Sequence, residues 1–349
     1  MRRGLAFTAA WVTLATVGLS VSQSTAAPLP KEMPAPISSE NVAQLRSIKE
    51  MERTVSRIIR APKPGELILS DWNSQAELVD DKLFNSLRVL PKDRKTDNVI
   101  LSPDSKVVAW TDKNSKVYTV QDLDSGKSFD IDVGEKPDRA AFSPDGKLIA
   151  IGSSYWDPNA HGVGHSETHI YDSKGKHLRT IERTGPGHVQ PIFSPDGKTL
   201  AIGNRNYETL LVDVESGKVL HKLDKKMTQE VNFSPDGKKL AAGYVDGNVG
   251  VWDVATGKQL HMEATDCKEI YSVDFSPKGD LLVSAGRQGK IIFWDPVTFK
   301  RIREMDAPFW VIQARFSADG TRMFTSSASD YGRLDRKITV WAVAKEGDK

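Results

Sequence analysis

The chain has 349 residues, of which 39% are hydrophobic and 27% are charged, a composition typical of soluble globular proteins. Its 48 Lys and Arg residues are nearly balanced by 46 Asp and Glu residues, which argues against a nucleic-acid-binding protein, because such proteins normally carry a basic surface. The chain contains one cysteine, so an internal disulfide is excluded and the fold must be held by packing.

Residues 1–26 have the pattern of a secretory signal peptide. Arg2 and Arg3 supply a positive start, residues 5–21 are mostly apolar, and residues 24–26 are small, with cleavage expected after Ala26. Loss of the two arginines leaves 46 basic and 46 acidic residues, so the mature chain is formally neutral. No later apolar run approaches the ~18 residues of a membrane span. We therefore expect export to the periplasm or the extracellular space.

Two segments precede the main body of the chain. Residues 27–38 contain four prolines and are interpreted as a linker. Residues 39–52 allow two interpretations. Apolar residues from Val42 to Val55 fall at helical spacing behind Ser39, which favours an amphipathic helix. Residues 48–52 instead match residues 302–306 of a later strand, which favours a strand over residues 45–51 and is the preferred prediction.

From residue 61 onwards, one short phrase recurs about every forty residues. Its clearest form is F-S-P-D-G-K, and a fixed period of this length indicates an array of equivalent units. The seven copies, from the faintest to the last, start at Ala61, Leu101, Phe142, Phe193, Phe233, Phe275 and Phe316.

The phrase has the chemistry of a type I turn between two strands. Ser can bond to the backbone ahead of it, Pro presets φ, and Gly lets the chain turn back. Short apolar runs that follow the turns, such as 148–152 and 240–243, predict buried strands. A third strand ends in an acid, as at Asp253, and a second turn leads to a fourth strand such as 219–223. Four strands in each of seven units predict an all-β fold, a seven-bladed β-propeller of four-stranded antiparallel blades.

The two ends of the chain are predicted to complete the same blade. The last unit stops after its third strand at Trp341, so its fourth strand must come from elsewhere. Residues 45–51 can supply that strand, which would close the ring and remove exposed sheet edges. Residues 39–349 are therefore expected to form one domain.

The repeats resemble those of the WD40 family, in a secreted bacterial form. Trp252-Asp253 and Trp294-Asp295 match the dipeptide that names the family. The Gly-His pair usual in such repeats is absent at the expected place, so the resemblance implies that the family's Asp-His-Ser-Trp hydrogen-bond network is missing from most blades. Secreted six-bladed propellers of the TolB type, which also use S-P-D-G turns, are the alternative architecture.

The third unit contains an insertion of about ten residues between its second and third strands. The inserted region, residues 153–169, is expected to form a polar loop. A smaller insertion occupies the equivalent place in the last unit, residues 329–336. Both loops are predicted to rise from one face of the ring, and their aromatic, acidic and Arg side chains are the candidate partner-binding residues: Tyr155, Trp156, Asp157, Asp330, Tyr331 and Arg333.

Three histidines of the first insertion are weak candidates for a metal site. His161, His165 and His169 are four residues apart, a spacing that would suit a metal on a helix, but Gly162 and Gly164 disfavour a helix. The preferred interpretation is a loop with solvated histidines, so no metal or other cofactor is expected.

Other chemical motifs are lacking in the sequence. It has no phosphate-binding glycine loop, no G-x-S-x-G elbow and no paired-cysteine metal signature. Cys267 is interpreted as a passive thiol.

Similarity to WD40 propellers implies a non-catalytic platform that binds a protein or peptide, and we expect a monomer without a nucleic-acid partner. The alternative is a propeller enzyme, lactonase-like or a hydrolase, or a metal-binding protein, with its site at the channel mouth.

Overall fold

The structure is a computed structural model that describes residues 35–52, 55, 57–61, 63–70, 76–90, 97–112, 115–156, 164–184, 187, 189–204, 208–329 and 336–343. Of residues 97, 156, 183 and 184, only the backbone is described. These residues form seven antiparallel sheets of four strands each, which confirms the predicted fold class. No helix in these ranges is long and apolar enough to span a membrane.

The strands follow one another blade by blade along the chain. A 3-10 helix at Val42–Gln44 leads into β1 (Leu45–Glu52). Blade one holds β2 (Arg57–Arg60), β3 (Glu66–Ser70), β4 (Ala76–Asp80) and β5 (Ser86–Leu90). Blade two holds β6 (Asp97–Leu101), β7 (Val107–Thr111), β8 (Val117–Asp122) and β9 (Ser128–Asp132). Blade three holds β10 (Pro137–Phe142), β11 (Leu148–Trp156), β12 (Gly164–Asp172) and β13 (His177–Thr184).

The next three blades repeat the same order, and the last takes its fourth strand from β1. Blade four holds β14 (Val189–Phe193), β15 (Thr199–Asn204), β16 (Leu210–Asp213) and β17 (Val219–Lys222). Blade five holds β18 (Thr228–Phe233), β19 (Lys239–Tyr244), β20 (Asn248–Asp253) and β21 (Gln259–Ala264). Blade six holds β22 (Ile270–Phe275), β23 (Leu282–Gly286), a 3-10 turn at Arg287–Gly289, β24 (Lys290–Trp294) and β25 (Arg301–Asp306). Blade seven holds β26 (Trp310–Phe316), β27 (Met323–Ala328) and β28 (Lys337–Val343).

The recurring phrase forms the turn between the first and second strands of the blades. In blade three, the Gly146 N–H donates to the Ser143 carbonyl at 2.9 Å, as a type I turn requires. Asp145 accepts bonds from the Ser143 hydroxyl at 2.7 Å and from the Lys147 N–H at 3.1 Å. Gly146 has φ of +70°, and a Cβ at this position would lie 3.6 Å from Pro103 of the preceding turn, so neighbouring turns lie side by side on one face of the ring.

Apolar side chains fill the space between every pair of adjacent blades. Seven clusters of buried residues are present in the described ranges, and each joins two neighbouring blades. The cluster between blades seven and one contains Ile58 and Leu67 from one side and Phe324 and Ile338 from the other. The blades therefore form a closed ring.

The N-terminal strand closes the last blade, as predicted. β1 pairs antiparallel with β28, from Leu45 opposite Val343 to Glu52 opposite Lys337. The helical alternative is wrong for residues 45–52, because only Val42–Gln44 forms a single 3-10 turn. Ile37 is buried in the cluster between blades six and seven, so the packed chain begins before residue 39.

Candidate functional site

The insertion of blade three forms strands over most of its length. β11 and β12 are nine residues each, whereas the second and third strands of the other blades have four to seven, and their pairing continues to Trp156 opposite Gly164. A loop over 153–169 was therefore the wrong prediction. One face of this longer sheet is buried, and its side chains are polar: Ser153, Ser166 and Thr168 are each at most 2% exposed. We call this projection the blade-three hairpin.

His165 and His169 lie on one strand, in contrast to the polar loop that the sequence suggested. Four residues of strand separate their backbones by about 13 Å, too far for both to coordinate one metal ion. His165 is exposed. The His169 ring is buried against Ser153 and Glu167, whose side-chain oxygens lie 3.2 Å and 3.1 Å from its Nε2. Burial lowers the pKa of His169, so its neutral form is favoured.

The other predicted contact residues are described only in part. Tyr155 is 41% exposed on the blade-three hairpin. Of Trp156 only the backbone is described, and the remaining residues lie outside the described ranges: Asp157, His161, Asp330, Tyr331 and Arg333. Both insertions connect the second and third strands of their blades, so they leave the ring on the face opposite the S-P-D-G turns.

The first strands of the blades surround the central channel, and they contain a position that is polar in every blade. It lies four residues before the first turn residue, and we call it the polar level of the channel. Its seven residues are Arg57, Asn98, Arg139, Gln190, Glu230, Ser272 and Gln313. The position two residues further along each first strand is called the second level. Its residues are Ile59, Ile100, Ala141, Ile192, Asn232, Asp274 and Arg315.

Between blades five and one, side chains of the polar level bridge adjacent blades. The Val273 N–H donates to Glu230 Oε2 at 3.1 Å, and the Ala314 N–H donates to Ser272 Oγ at 3.0 Å. The Ile58 N–H donates to Gln313 Oε1. These bonds satisfy backbone donors between first strands that do not pair in a sheet.

Two arginines of this half of the ring are paired with buried acids. The Arg60 guanidinium lies 2.8 Å from Asp274 Oδ2, and Arg315 forms an ion pair with Glu230. Asp274 also accepts bonds from the Asn232 amide at 2.8 Å and from the Phe316 N–H at 2.9 Å. Full hydrogen bonding of this kind is what allows charges to be buried.

Blades one to four instead line a cavity of about 250 Å³. Arg57 and Arg139 reach it from the polar level, and Pro103 extends it toward the turn face. Burial, and then the charge of Arg139, lowers the pKa of Arg57 to about 10. Sequence reasoning missed this site, although the repeat alignment contained a signal: an interior strand position that is never apolar.

Comparison with known proteins places the chain among propeller proteins. A family model described as eukaryotic translation initiation factor eIF2A matches residues 143–287 and, in a second placement, residues 240–347. Together the placements extend from residue 143 to residue 347, which is more than half of the chain. The chain belongs to this WD40-like family.

One curated relative matches a shorter stretch of this chain. The THO complex subunit 3 of Arabidopsis thaliana is 32% identical over 83 residues, which are 22% of this chain and 25% of the relative. The chain thus spans about a quarter of the length of the curated relative it matches.

In blades five, six and seven, the tryptophan of the third strand donates a hydrogen bond to a hydroxyl group and not to a histidine. Trp294 Nε1 donates to Ser284 Oγ at 2.8 Å in blade six, and Trp341 Nε1 donates to Thr325 Oγ1 at 2.9 Å in blade seven. In blade five, Trp252 Nε1 donates to the Tyr244 hydroxyl at 3.2 Å. These contacts hold neighbouring strands of one blade together.

No candidate metal site is found in the part of the chain that the structure describes. No cluster of three or more His, Cys, Asp and Glu side chains there could hold an ion. Cys267 is buried between blades five and six, and burial raises the pKa of its thiol, as expected for a passive cysteine.

Proposed function

We propose that this propeller is an exported, non-catalytic platform that binds a protein or peptide through the face carrying the blade-three hairpin. The observation that supports the proposal is the length of β11 and β12, which extends a paired sheet beyond the ring. Antiparallel pairing makes this projection more rigid than a loop of equal length, so binding would cost less ordering entropy.

The side chains of the hairpin tip suit a protein contact. Tyr155 is exposed although its own strand is otherwise largely buried. Tyr, Trp and Arg are the residue types that most often dominate binding energy at interfaces. We therefore assign the contact surface to Tyr155, Trp156 and Asp157, together with Asp330, Tyr331 and Arg333 of the insertion in blade seven.

Similarity to other proteins supports a binding role in general terms. The curated relative is by its name a subunit of a complex. Export rests on the sequence of residues 1–26 alone, with its paired arginines, apolar run and small residues before the cleavage site.

The proposal is tested with a peptide-display library panned against the full mature chain. We expect Tyr155→Ala and Trp156→Ala, and likewise Tyr331→Ala and Arg333→Ala, to weaken the enriched peptides by about tenfold or more each, because interface centres depend on such side chains. The melting temperature should change little, since these residues belong to insertions that the four-stranded blades do not require.

Matched controls come from exposed apolar residues on the outer strands. Leu220 and Leu260 are 47% and 40% exposed, close to Tyr155, but they lie on fourth strands away from the hairpin. Their alanine variants should bind normally. Equal loss in these controls, or retained binding in all four hairpin-face variants, would overturn the proposal. A stoichiometric metal ion that is lost when His161 and His165 are both changed would favour the metal-binding alternative.

A further inference from the structure

The two halves of the channel balance charge differently. Glu230 of blade five and Asp274 of blade six neutralise Arg315 of blade seven and Arg60 of blade one. In blades one to four, the second level is apolar and the polar level contributes two arginines and two neutral amides. The polar level of blades one to four therefore contains two arginines and no acid, and the nearby acid Asp138 accepts the Val189 N–H at 3.0 Å.

Arg57 is incompletely satisfied within the described structure. One of its terminal nitrogens donates to the neutral Asn98 Oδ1 at 3.2 Å, while its Nε is buried with no hydrogen-bond partner. A buried donor without an acceptor costs about 1–3 kcal/mol, and more when it is charged. An acceptor group that enters the cavity can satisfy such a donor.

The second level of the cavity wall is apolar, and Arg60, which also lines the cavity, is paired with Asp274. Ile59, Ile100, Ala141 and Ile192 line the cavity at the second level, two residues along each strand from the polar level. Two residues of strand correspond to about 7 Å. A ligand that fills both levels must be charged at one end and apolar at the other.

We propose that the channel binds a small organic anion, a carboxylate on an apolar body, with the carboxylate at Arg57 and Arg139 and the body against the isoleucines. The planar guanidinium of Arg can bond a carboxylate through two parallel N–H groups. The cavity of about 250 Å³ has room for a short-chain or single-ring acid and for little more. This site lies toward the turn face and is independent of the proposed hairpin surface.

Calorimetric titration of the mature chain with 3-phenylpropionate tests the proposal. We expect the carboxylate to bind about tenfold or more tightly than 3-phenylpropan-1-ol, which has the same body without the charge. Inorganic phosphate alone should bind more weakly than the carboxylate, because it gains nothing from the apolar level. Arg57→Gln and Arg139→Gln should each weaken carboxylate binding by about tenfold or more.

Two further variants keep the test independent of folding effects. Ala141→Leu should fill the cavity and block binding while leaving every channel charge in place. Arg88→Gln changes an exposed arginine on β5, whose guanidinium donates to the Leu123 carbonyl, and should bind like the wild type.

Three results would overturn the site: no carboxylate binding up to about 10 mM, equal affinity for the alcohol, or unchanged affinity in Arg57→Gln when circular dichroism shows a native fold. Phosphate binding as tight as that of the carboxylate would overturn the apolar half of the assignment. Variants of the hairpin face should leave this affinity unchanged, so the result does not depend on the proposed platform.

Discussion

The residue four positions before each turn is polar in every blade, yet its partner changes around the ring. At Glu230, Ser272 and Gln313, a side-chain oxygen accepts an N–H from the next blade. An arginine has no acceptor and cannot form this bridge. Next to Arg139, the preceding residue Asp138 accepts the Val189 N–H of blade four instead.

Ser284 and Ser326 provide a matched pair for measuring a buried indole bond. Ser284 is fully buried and accepts Trp294 Nε1, whereas Ser326 is equally buried but its hydroxyl has no hydrogen-bond partner among the described residues. Ser284→Ala should lower the free energy of unfolding by about 1–3 kcal/mol, because it orphans the indole N–H. Ser326→Ala should be neutral or stabilising in the same denaturant titration. Equal losses in both variants would contradict the importance of the bond.

His169 predicts a dependence of stability on pH. Burial, opposed by the carboxylate of Glu167 and assisted by His177, lowers its folded pKa below the unfolded value near 6.5. Between the two pKa values the unfolded state binds more protons, so stability falls as pH drops through this window. The melting temperature of the wild type should decrease between about pH 7 and pH 5, and less so in His169→Gln.

The control for this measurement is His221→Gln. His221 is partly exposed on β17, and its Nε2 lies 3.0 Å from the Ala255 carbonyl. This variant should keep the pH dependence of the wild type. If His169→Gln keeps it as well, another group is responsible for the acid sensitivity.

Among the structural elements, the strands next to turns could be predicted from sequence and the hairpin extension could not. Turn phrases mark strand ends by their backbone chemistry, so β19 and β17 lie within one residue of the predicted strands 240–243 and 219–223. The full length of β12 was not predicted, because its buried face includes Ser166 and Thr168. Apolar periodicity cannot detect polar side chains that are buried in a sheet.

The closing strand should be essential to the stability of blade seven. Deletion of residues 39–52 removes Leu45 from its cluster and leaves β28 as an unpaired edge, so aggregation or a large fall in melting temperature is expected. Leu45→Ala is the milder change and should cost about 2–5 kcal/mol in chemical denaturation. Glu50→Ala, at an exposed position of the same strand, should cost little. A deletion variant that melts like the intact chain would rule out this role.

For the whole molecule, ring closure predicts cooperative unfolding. In an open repeat array the terminal units lack one neighbour and can fray, whereas here every blade is packed on both sides. Thermal transitions followed by tryptophan fluorescence and by far-ultraviolet circular dichroism should coincide. Separate midpoints for the two signals would show that groups of blades unfold independently.

The channel illustrates the limit of prediction at this scale. Arg57, Arg139, Glu230 and Asp274 come from four separate repeats, so their proximity arises only when the ring closes. Blade number and order follow from the repeat, but which arginine meets which acid depends on side-chain geometry across the axis. Arg60, for example, reaches Asp274 two blades away in the ring.

The pairing of β1 with β28 also fixes the order of events during biosynthesis. Leu45 is among the first residues of the folded part to be made, and its partner Val343 is among the last. Synthesis starts at the N-terminus, so β1 must wait unpaired until β28 has been made. A chain that stalls before β28 cannot form the seventh blade, so the ring closes only in chains that contain both strands.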